Sequence, residues 1–475
     1  MTMHPVLWSS DDAVLATGGE ARGNWQATGV SINTRTLESG DLFFALPGPN
    51  FDGHDFANEA LKRDASAIVI SHEVGDCGTD TPSLIVNDTL GALEDLARAS
   101  RDRMSGKIIA VTGSVGKTST KEMLRLVLSD QGVISASQGN LNNHWGLPLS
   151  LSRMPADTDF GLFELGMNSP DEIRPLSKMA RPHVAIITAV ESVHIEFFNS
   201  VEEIADAKAE IFEGVVEGGH VVINRDSPYF DRLSAAADQC GVTNVHSFGN
   251  HEKAWARLVT VALEDRYSTV VASIDDETYR YRIGAPGAHL VKNSIAVLAA
   301  VHLAGGDVVA AAERFTEYSP LKGRGNSATI KLETGDAVVI NESYNASPAS
   351  MRAALAVLGR MHPSGEGRRI AVIGDMLELG PQTSEEHIAL LEPLQSSDVN
   401  LVFTCGQHTQ DLWDVLPEPM RGGHSISPDK LAMVLATAIQ PDDIIVVKGS
   451  LGSKVSIIVD ALLALNTNSQ TTGEI

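Results

Sequence analysis

The sequence predicts an α/β protein in three parts. These are a small mixed α/β block over residues 1–105, a central parallel-sheet block of the P-loop type over 106–325, and a C-terminal, doubly wound, Rossmann-like block over 326–475. Three observations predict it. Apolar runs at residues 108–111, 160–165, 184–189 and 221–224 show no polar alternation, as strands covered on both faces of a parallel sheet do. Helix-period stretches separate those runs. The pattern breaks at two basic, glycine-containing junctions, Met104-Ser105-Gly106 and Lys322-Gly323-Arg324-Gly325, which read as linkers. A chain of 475 residues also exceeds one core, since a domain holds roughly 100–200 residues.

In the first block, short strands at 42–45, 67–70 and 84–86 precede a helix over 90–104. In the second, a glycine loop after the strand at 108–111 opens an amphipathic helix with Met123, Leu124, Val127 and Leu128 on one face and Gly132 as its stop. The more alternating stretches 258–263, 268–274 and 278–283 predict antiparallel hairpins appended to the sheet, and a helix over 290–303 closes the block. In the third, strands at 338–341, 370–373, 401–404 and 444–447 alternate with helices. The polar tail after Asn466 is expected to fray.

Bulk properties exclude several classes. The net charge of −25 opposes nucleic-acid binding, which needs basic patches. A hydrophobic fraction of 43% and a mean hydropathy of −0.01 fit a globular protein. No run reaches the roughly 18 apolar residues of a spanning helix, so no membrane insertion is expected. The start, MTMHPVLWSSDD, lacks the basic and apolar regions of a signal peptide. Cys77, Cys240 and Cys405 lie far apart and fit a reducing cytoplasm. A monomer is expected.

The segment Val111-Thr112-Gly113-Ser114-Val115-Gly116-Lys117-Thr118-Ser119 carries the most chemistry. Strand, glycine loop, Lys-Thr and helix together make a phosphate cradle: loop N–H groups and the helix N-terminus face the anion, and Lys117 adds a point charge. The Thr118 hydroxyl is placed to hold Mg2+. The first glycine of the general P-loop pattern would fall at Val111, so this is a narrower variant, one that points to ATP-dependent ligases rather than GTPases.

Glu164 ends the strand Phe160-Gly161-Leu162-Phe163, where a carboxylate faces the ligand crevice and can be the second anchor for Mg2+. Lys208 sits in the apolar stripe of a helix predicted over 201–216, with Val201, Ile204, Ala205, Ile211, Phe212 and Val215 on one face. Two readings stand for it. Either it snorkels or pairs with Glu164, or burial makes it a neutral amine able to add carbon dioxide and bind metal as a carbamate. His194 follows the strand at 184–189 and can ligate a second metal, orient substrate, or do neither. The loops Gly139-Asn140-Leu141-Asn142-Asn143-His144-Trp145-Gly146 and Asn341-Glu342-Ser343-Tyr344-Asn345-Ala346 are amide-rich; such loops bind polar ligands and also make plain turns. Ser347 and Pro348 form an N-cap and N1 pair for the next helix.

These motifs fall in the order found in the Mur ligases, the ATP-dependent amide-forming enzymes of peptidoglycan synthesis, which the chain resembles over nearly its whole length. The resemblance rests on Thr112–Thr118, residues 139–148, Glu164-Leu165-Gly166, Ser192-Val193-His194, residues 207–212, Pro286-Gly287-Ala288-His289, Gly323-Arg324 and residues 342–346. Asn-Leu-Asn-Asn, Ser-Tyr-Asn-Ala, residues 374–380 and Val447-Lys448-Gly449-Ser450 resemble the member that adds D-alanyl-D-alanine to UDP-N-acetylmuramoyl-tripeptide.

The resemblance implies a UDP-binding first block, with Asn33, Thr34 and Arg35 standing where the family has Asp-Ser-Arg. It implies ATP on Gly113–Ser119, with Asn293, Arg324 and Glu342 as further nucleotide contacts. Asn142, Asn143, Tyr344 and Asn345 would meet substrate. Thr118 and Glu164 would hold one Mg2+, and His194 with carbamylated Lys208 a second. Lys117, Lys208, His194 and Glu164 are the expected catalytic set. Glu342 stands where an aspartate is usual, and Leu451 where an arginine is usual. The rivals are another ligase of the superfamily and a nucleotide-binding switch that ligates nothing.

Overall fold

A computed structural model describes residues 5–75, 80–139, 141–193 and 195–468. Among the described residues the strands form four sheets. Trp8–Ser9 and Gln26–Ala27 pair antiparallel. A five-stranded sheet runs Glu20–Arg22, Ser83–Ile85, Ala67–Ile70, Asp41–Phe44, Gly29–Ser31, parallel except at its Glu20–Arg22 edge. The helix Thr89–Arg103, capped by Asp88, covers it.

The central sheet has nine strands. From one edge it runs Ile134–Ala136, Phe160–Glu164, Lys107–Thr112, Val184–Ile187, His220–Asn224, Asn244–Gly249 and Ala256–Leu263, all parallel. Ser268–Ile274 and Glu277–Ile283 then continue it antiparallel. Its two faces carry separate apolar clusters. The helices Lys117–Leu128 and Ala288–Leu303 lie over Val111, Val222 and Phe248 on one side, and Ile173–Ala180 and Val201–Ala209 over Ala110, Phe163 and Val221 on the other. The phosphate loop therefore leaves a strand buried on both faces, which holds its take-off direction fixed.

The third sheet runs Asn326–Leu332, Gly335–Glu342, Ile444–Lys448, Arg369–Gly374, Leu401–Cys405 and Arg421–Ser425. Only its first pair is antiparallel. No helix among the described residues is long and apolar enough to cross a membrane.

Three local readings need correction. The helix opened by the phosphate loop ends at Leu128 and not at Gly132; Ser129 to Gln131 form a turn, and a Cβ on Gly132 would sit 2.6 Å from Asp159 Oδ2. The helix expected over 201–216 stops at Ala209 and tightens to a 3-10 turn, Glu210–Gly214. The cause is the Glu210 carboxylate, which accepts the backbone N–H groups of Asp171, Ile173 and Arg174 and so caps the helix Ile173–Ala180. The helix Ala288–Leu303 does not close the central part, because Val308–Arg314 and a 3-10 turn, Phe315–Glu317, pack onto the same core. Asn466 lies inside the helix Ser456–Asn468 and accepts Lys331 N at 2.5 Å, and the tail from residue 469 on lies outside the described residues.

Candidate active site

The loop between the strand Lys107–Thr112 and the helix Lys117–Leu128 depends on two glycines. Gly113 has φ +149° and Gly116 φ +87°; a Cβ would lie 2.0 Å from Thr188 Oγ1 at the first and 2.8 Å from Asn293 Nδ2 at the second. The Ser114 N–H donates to Ala189 O at 2.8 Å, and its hydroxyl donates to Glu191 O and accepts Glu191 N, both at 3.0 Å. The Thr188 hydroxyl donates to Val115 O at 2.6 Å. The loop is thus fastened to the end of the next strand before any ligand arrives. No side chain caps the helix at Gly116, which leaves first-turn N–H groups for an anion.

The Lys117 ammonium folds back to donate to Gly113 O at 2.7 Å. Burial lowers its pKa; Glu164 opposes that shift and Arg324 adds to it. Two cations that disfavour each other's charge make a place where a polyanion is welcome. The Ser119 side chain bonds Tyr318, whose phenol burial pushes up to about 12.

Glu164 does not face water. It is 2% exposed, and its two oxygens accept the Thr118 hydroxyl and the Asn142 amide, each at 2.8 Å. Among the described residues no ion pair reaches this carboxylate. A buried anion with only neutral donors, beside a hydroxyl oxygen, suits a small hard cation. The donor set therefore fits Mg2+.

Lys208 is 3% exposed, so it does not snorkel. It makes no hydrogen bond or ion pair with a described residue, so it is not paired with Glu164 either. Burial first, and the Lys117 charge second, bring its pKa well below the ordinary lysine value. His194 and Asn140 lie outside the described residues.

The remaining side chains come from the third sheet, the segments flanking its first two strands, and the helix Ala288–Leu303. The Arg324 guanidinium lies over the Tyr344 ring, 4.1 Å from its centre. Glu342 accepts Lys448 Nζ at 3.2 Å, and Lys448, 3% exposed, also donates to Asn345 O at 3.0 Å. Lys448 ends the strand Ile444–Lys448 and was not singled out for a role from the sequence; a cation closing an apolar run was the available signal. Asn293, 7% exposed, abuts Gly116 at the head of the loop.

Several amides serve the backbone. Asn143 Oδ1 accepts Gly146 N at 2.9 Å, Asn345 Oδ1 accepts Ala346 N at 2.9 Å, and Asn33 Oδ1 accepts Arg35 N at 3.0 Å. The Asn33 turn, with Thr34 buried and Arg35 exposed, follows the edge strand Gly29–Ser31, far along the chain from the phosphate loop. Asp52, His54 and His72 bring three metal-type side chains together in the same part. Both His54 nitrogens are committed, however: Nδ1 to Asp52 Oδ1 at 2.6 Å, and Nε2 as acceptor of Ser71 N at 3.0 Å. That cluster is a structural brace.

Comparison with known proteins follows the same division. Residues 26–101 match the model of the Mur ligase family catalytic domain, 111–301 the Mur ligase middle domain, and 329–451 the Mur ligase glutamate ligase domain. A UDP-N-acetylmuramoyl-tripeptide--D-alanyl-D-alanine ligase of Rickettsia prowazekii is 32% identical, over 96% of this chain and 99% of its own length. The Bacillus subtilis protein of the same name is 33% identical, over 92% and 93%. A crystal structure of MurF from Acinetobacter baumannii superposes with a TM-score of 0.85 at 26% identity, covering 96% of this chain and 99% of that one. The Thermotoga maritima MurF ligase in complex with ADP superposes with a TM-score of 0.76 at 26% identity, covering 93% and 98%. Three domain models in order, relatives above 30% identity over almost the full length, and a glycine loop facing a buried carboxylate agree: the chain belongs to the Mur ligase family.

Proposed function

We propose that this ligase joins D-alanyl-D-alanine to UDP-N-acetylmuramoyl-tripeptide, driven by ATP and passing through an acyl phosphate, in peptidoglycan precursor synthesis. The observation that carries the reading is the near-full-length likeness to ligases of that name. It acts as a monomer in the cytoplasm. Residues 1–105 hold the UDP moiety with Asn33, Thr34 and Arg35, residues 106–325 hold ATP, and residues 326–475 close over it.

The N–H groups of Gly113, Val115, Gly116 and Ser119 and the Lys117 ammonium hold the triphosphate, in a loop that Ser114 fastens to Ala189 and Glu191. Asn293, Arg324 and Glu342 hold the rest of the nucleotide; that a Cβ on Gly116 would lie 2.8 Å from Asn293 Nδ2 supports the role of Asn293. The tripeptide carboxylate attacks the γ-phosphorus. The bond from that phosphorus to the bridging oxygen breaks, and ADP leaves an acyl phosphate behind. The neutral amine of D-alanyl-D-alanine then attacks the acyl carbon, loses a proton, and expels phosphate. Asn142, Asn143, Tyr344 and Asn345 orient the peptide groups. Two anions meet in the first step, so fixed positive charge from Lys117 and Arg324 lowers its barrier most.

Thr118 and Glu164 would hold one Mg2+, and His194 with Lys208, carbamylated by carbon dioxide, a second; the metal supplies further charge neutralisation on the phosphates. Tyr344 stacked on Arg324 shuts out water that would hydrolyse the acyl phosphate.

The test is phosphate release from ATP and Mg2+ with UDP-N-acetylmuramoyl-tripeptide, with and without the dipeptide. Release that needs the dipeptide, with a pentapeptide product by mass, is the expected result. Release only with a shorter UDP-peptide and a single amino acid would assign an earlier ligase of the family, and no release with any pairing would return the nucleotide switch.

A further inference from the structure

Lys121 is the most completely buried cation in the described chain: its side chain is 0% exposed. It lies on the helix Lys117–Leu128, three residues after Thr118, and no step of the mechanism uses it. Its ammonium has three acceptors. It donates to Ser137 O at 2.5 Å and Gly139 O at 3.5 Å, and it pairs with Glu122 Oε1 at 2.9 Å. Burying a lysine is costly, and an apolar residue would fill the same volume at no such cost. The position therefore asks for a reason beyond packing.

Ser137 provides it. This residue follows the edge strand Ile134–Ala136, and its hydroxyl accepts Glu164 N at 3.4 Å while its own N–H donates to Leu162 O at 3.1 Å. One ammonium thus ties the helix that carries Thr118 to the loop that braces Glu164. The two side chains it brackets meet at 2.8 Å, as Thr118 Oγ1 and Glu164 Oε2. That bond would yield to an ion entering between the two oxygens, whereas the Lys121 tie lies outside the pocket and would remain.

We propose that Lys121 is a positioning residue for the cation pocket, clamping Thr118 and Glu164 at the separation that a small divalent ion requires. The inference rests on the reading of Thr118 and Glu164 as the Mg2+ pair. Supporting residues around metal ligands commonly contribute about 10- to 100-fold to metal affinity, and the larger share of this clamp is backbone, so a loss near the lower figure is expected.

The test measures ADP binding by calorimetry, without turnover, at a series of Mg2+ concentrations and in EDTA. In Lys121→Met the Mg2+ concentration for half-maximal tightening should rise about tenfold, with ADP affinity in EDTA changed less than about twofold. Lys121→Gln keeps one N–H for a carbonyl with no charge to bury. It should show a smaller rise, and it reads the same quantity if Lys121→Met does not fold. Equal losses with and without Mg2+ would make Lys121 a general structural residue and overturn the proposal, as would an unchanged Mg2+ response. Wild-type protein whose ADP binding ignores Mg2+ would overturn the assignment of the metal pair itself, a separate outcome.

Discussion

Lys208→Met should make the protein more stable, and the gain should shrink as pH rises. The side chains have similar volume, and the site is 3% exposed, so the swap removes a buried polar group with no partner among the described residues. Burying an amine costs free energy that burying methionine does not. The larger effect is protonic. The folded-state pKa lies well below the ordinary 10.5, so between the two values the unfolded chain holds a proton that the folded chain does not. Stability then rises with pH across that window, by about 1.4 kcal/mol per pH unit for one proton. Methionine has no such slope. The advantage of Lys208→Met over wild type is therefore greatest at the low end of the window and falls as pH climbs toward 10.5. In a unit of this size, about 1.4 kcal/mol corresponds to a melting shift of roughly 3–5 °C. Paired thermal melts at pH values from 7 to 10, in metal-free buffer purged of carbon dioxide, read the difference directly. A gap that stays constant between those pH values would mean that the amine is charged in the fold, and the neutral-amine reading would fail.

Other expectations follow from single contacts. Lys117→Ala should abolish ATP-dependent phosphate release, because it removes the charge held over the loop at Gly113 O; retained turnover would sink the loop assignment. Lys208→Ala should be inactive yet partly recover with formate or acetate, small carboxylates that replace the anion; no recovery, with no effect of bicarbonate depletion on wild type, would count against the carbamate. His183 Nδ1 accepts the Ile108 N–H at 2.9 Å, and burial brings the ring pKa from 6.5 to about 4. Its folded pKa is depressed, so its contribution is present above pH 6.5 and lost as pH falls toward 4. The ring is partly exposed, so the loss should be about 1–2 kcal/mol after screening. His183→Asn keeps an acceptor without the titration, and its unfolding midpoint should depend less on pH over that range; equal slopes would refute the assignment.

The three sheets were legible because their inner strands are uniformly apolar, and that signal survives without knowledge of partners. The strands Ile134–Ala136, Asn244–Gly249, Asn326–Leu332 and Arg421–Ser425 were not: they are polar or glycine-bearing, and three of them lie at or beside a sheet edge where burial no longer dictates composition. The helix over 201–216 was read too long because its apolar period continues through Phe212. What ends it is Glu210, and its partners lie on another helix 35 or more residues back. At the site, Glu164 could be placed from its strand end and Lys208 from its apolar stripe. The asparagines could not be sorted. Asn142 holds Glu164, whereas the side-chain oxygens of Asn143 and Asn345 hold their own turns, and residue type alone does not separate the two uses.

The same contacts rank the joints of the molecule. Between the first part and the central sheet, the apolar cores interpenetrate: Leu149 packs in the first core, and Ala97 and Met104 in the central one. Directional bonds reinforce the joint. Trp8 Nε1 donates to Ser152 O at 2.8 Å, Arg103 to Leu7 O at 2.9 Å, Arg153 to Val30 O at 2.6 Å, and Arg101 to Ala180 O at 2.8 Å. Each ends on a backbone carbonyl, so none depends on a partner's protonation. The third part is attached differently. Its two cores hold only residues from 328 onward, and its contacts with the central part include the pair His362–Asp265 at 3.5 Å, with the two side chains 79% and 51% exposed. Such a pair contributes little and weakens with salt. Salt should loosen this joint while leaving the first one, held by apolar contacts and bonds to backbone carbonyls, intact.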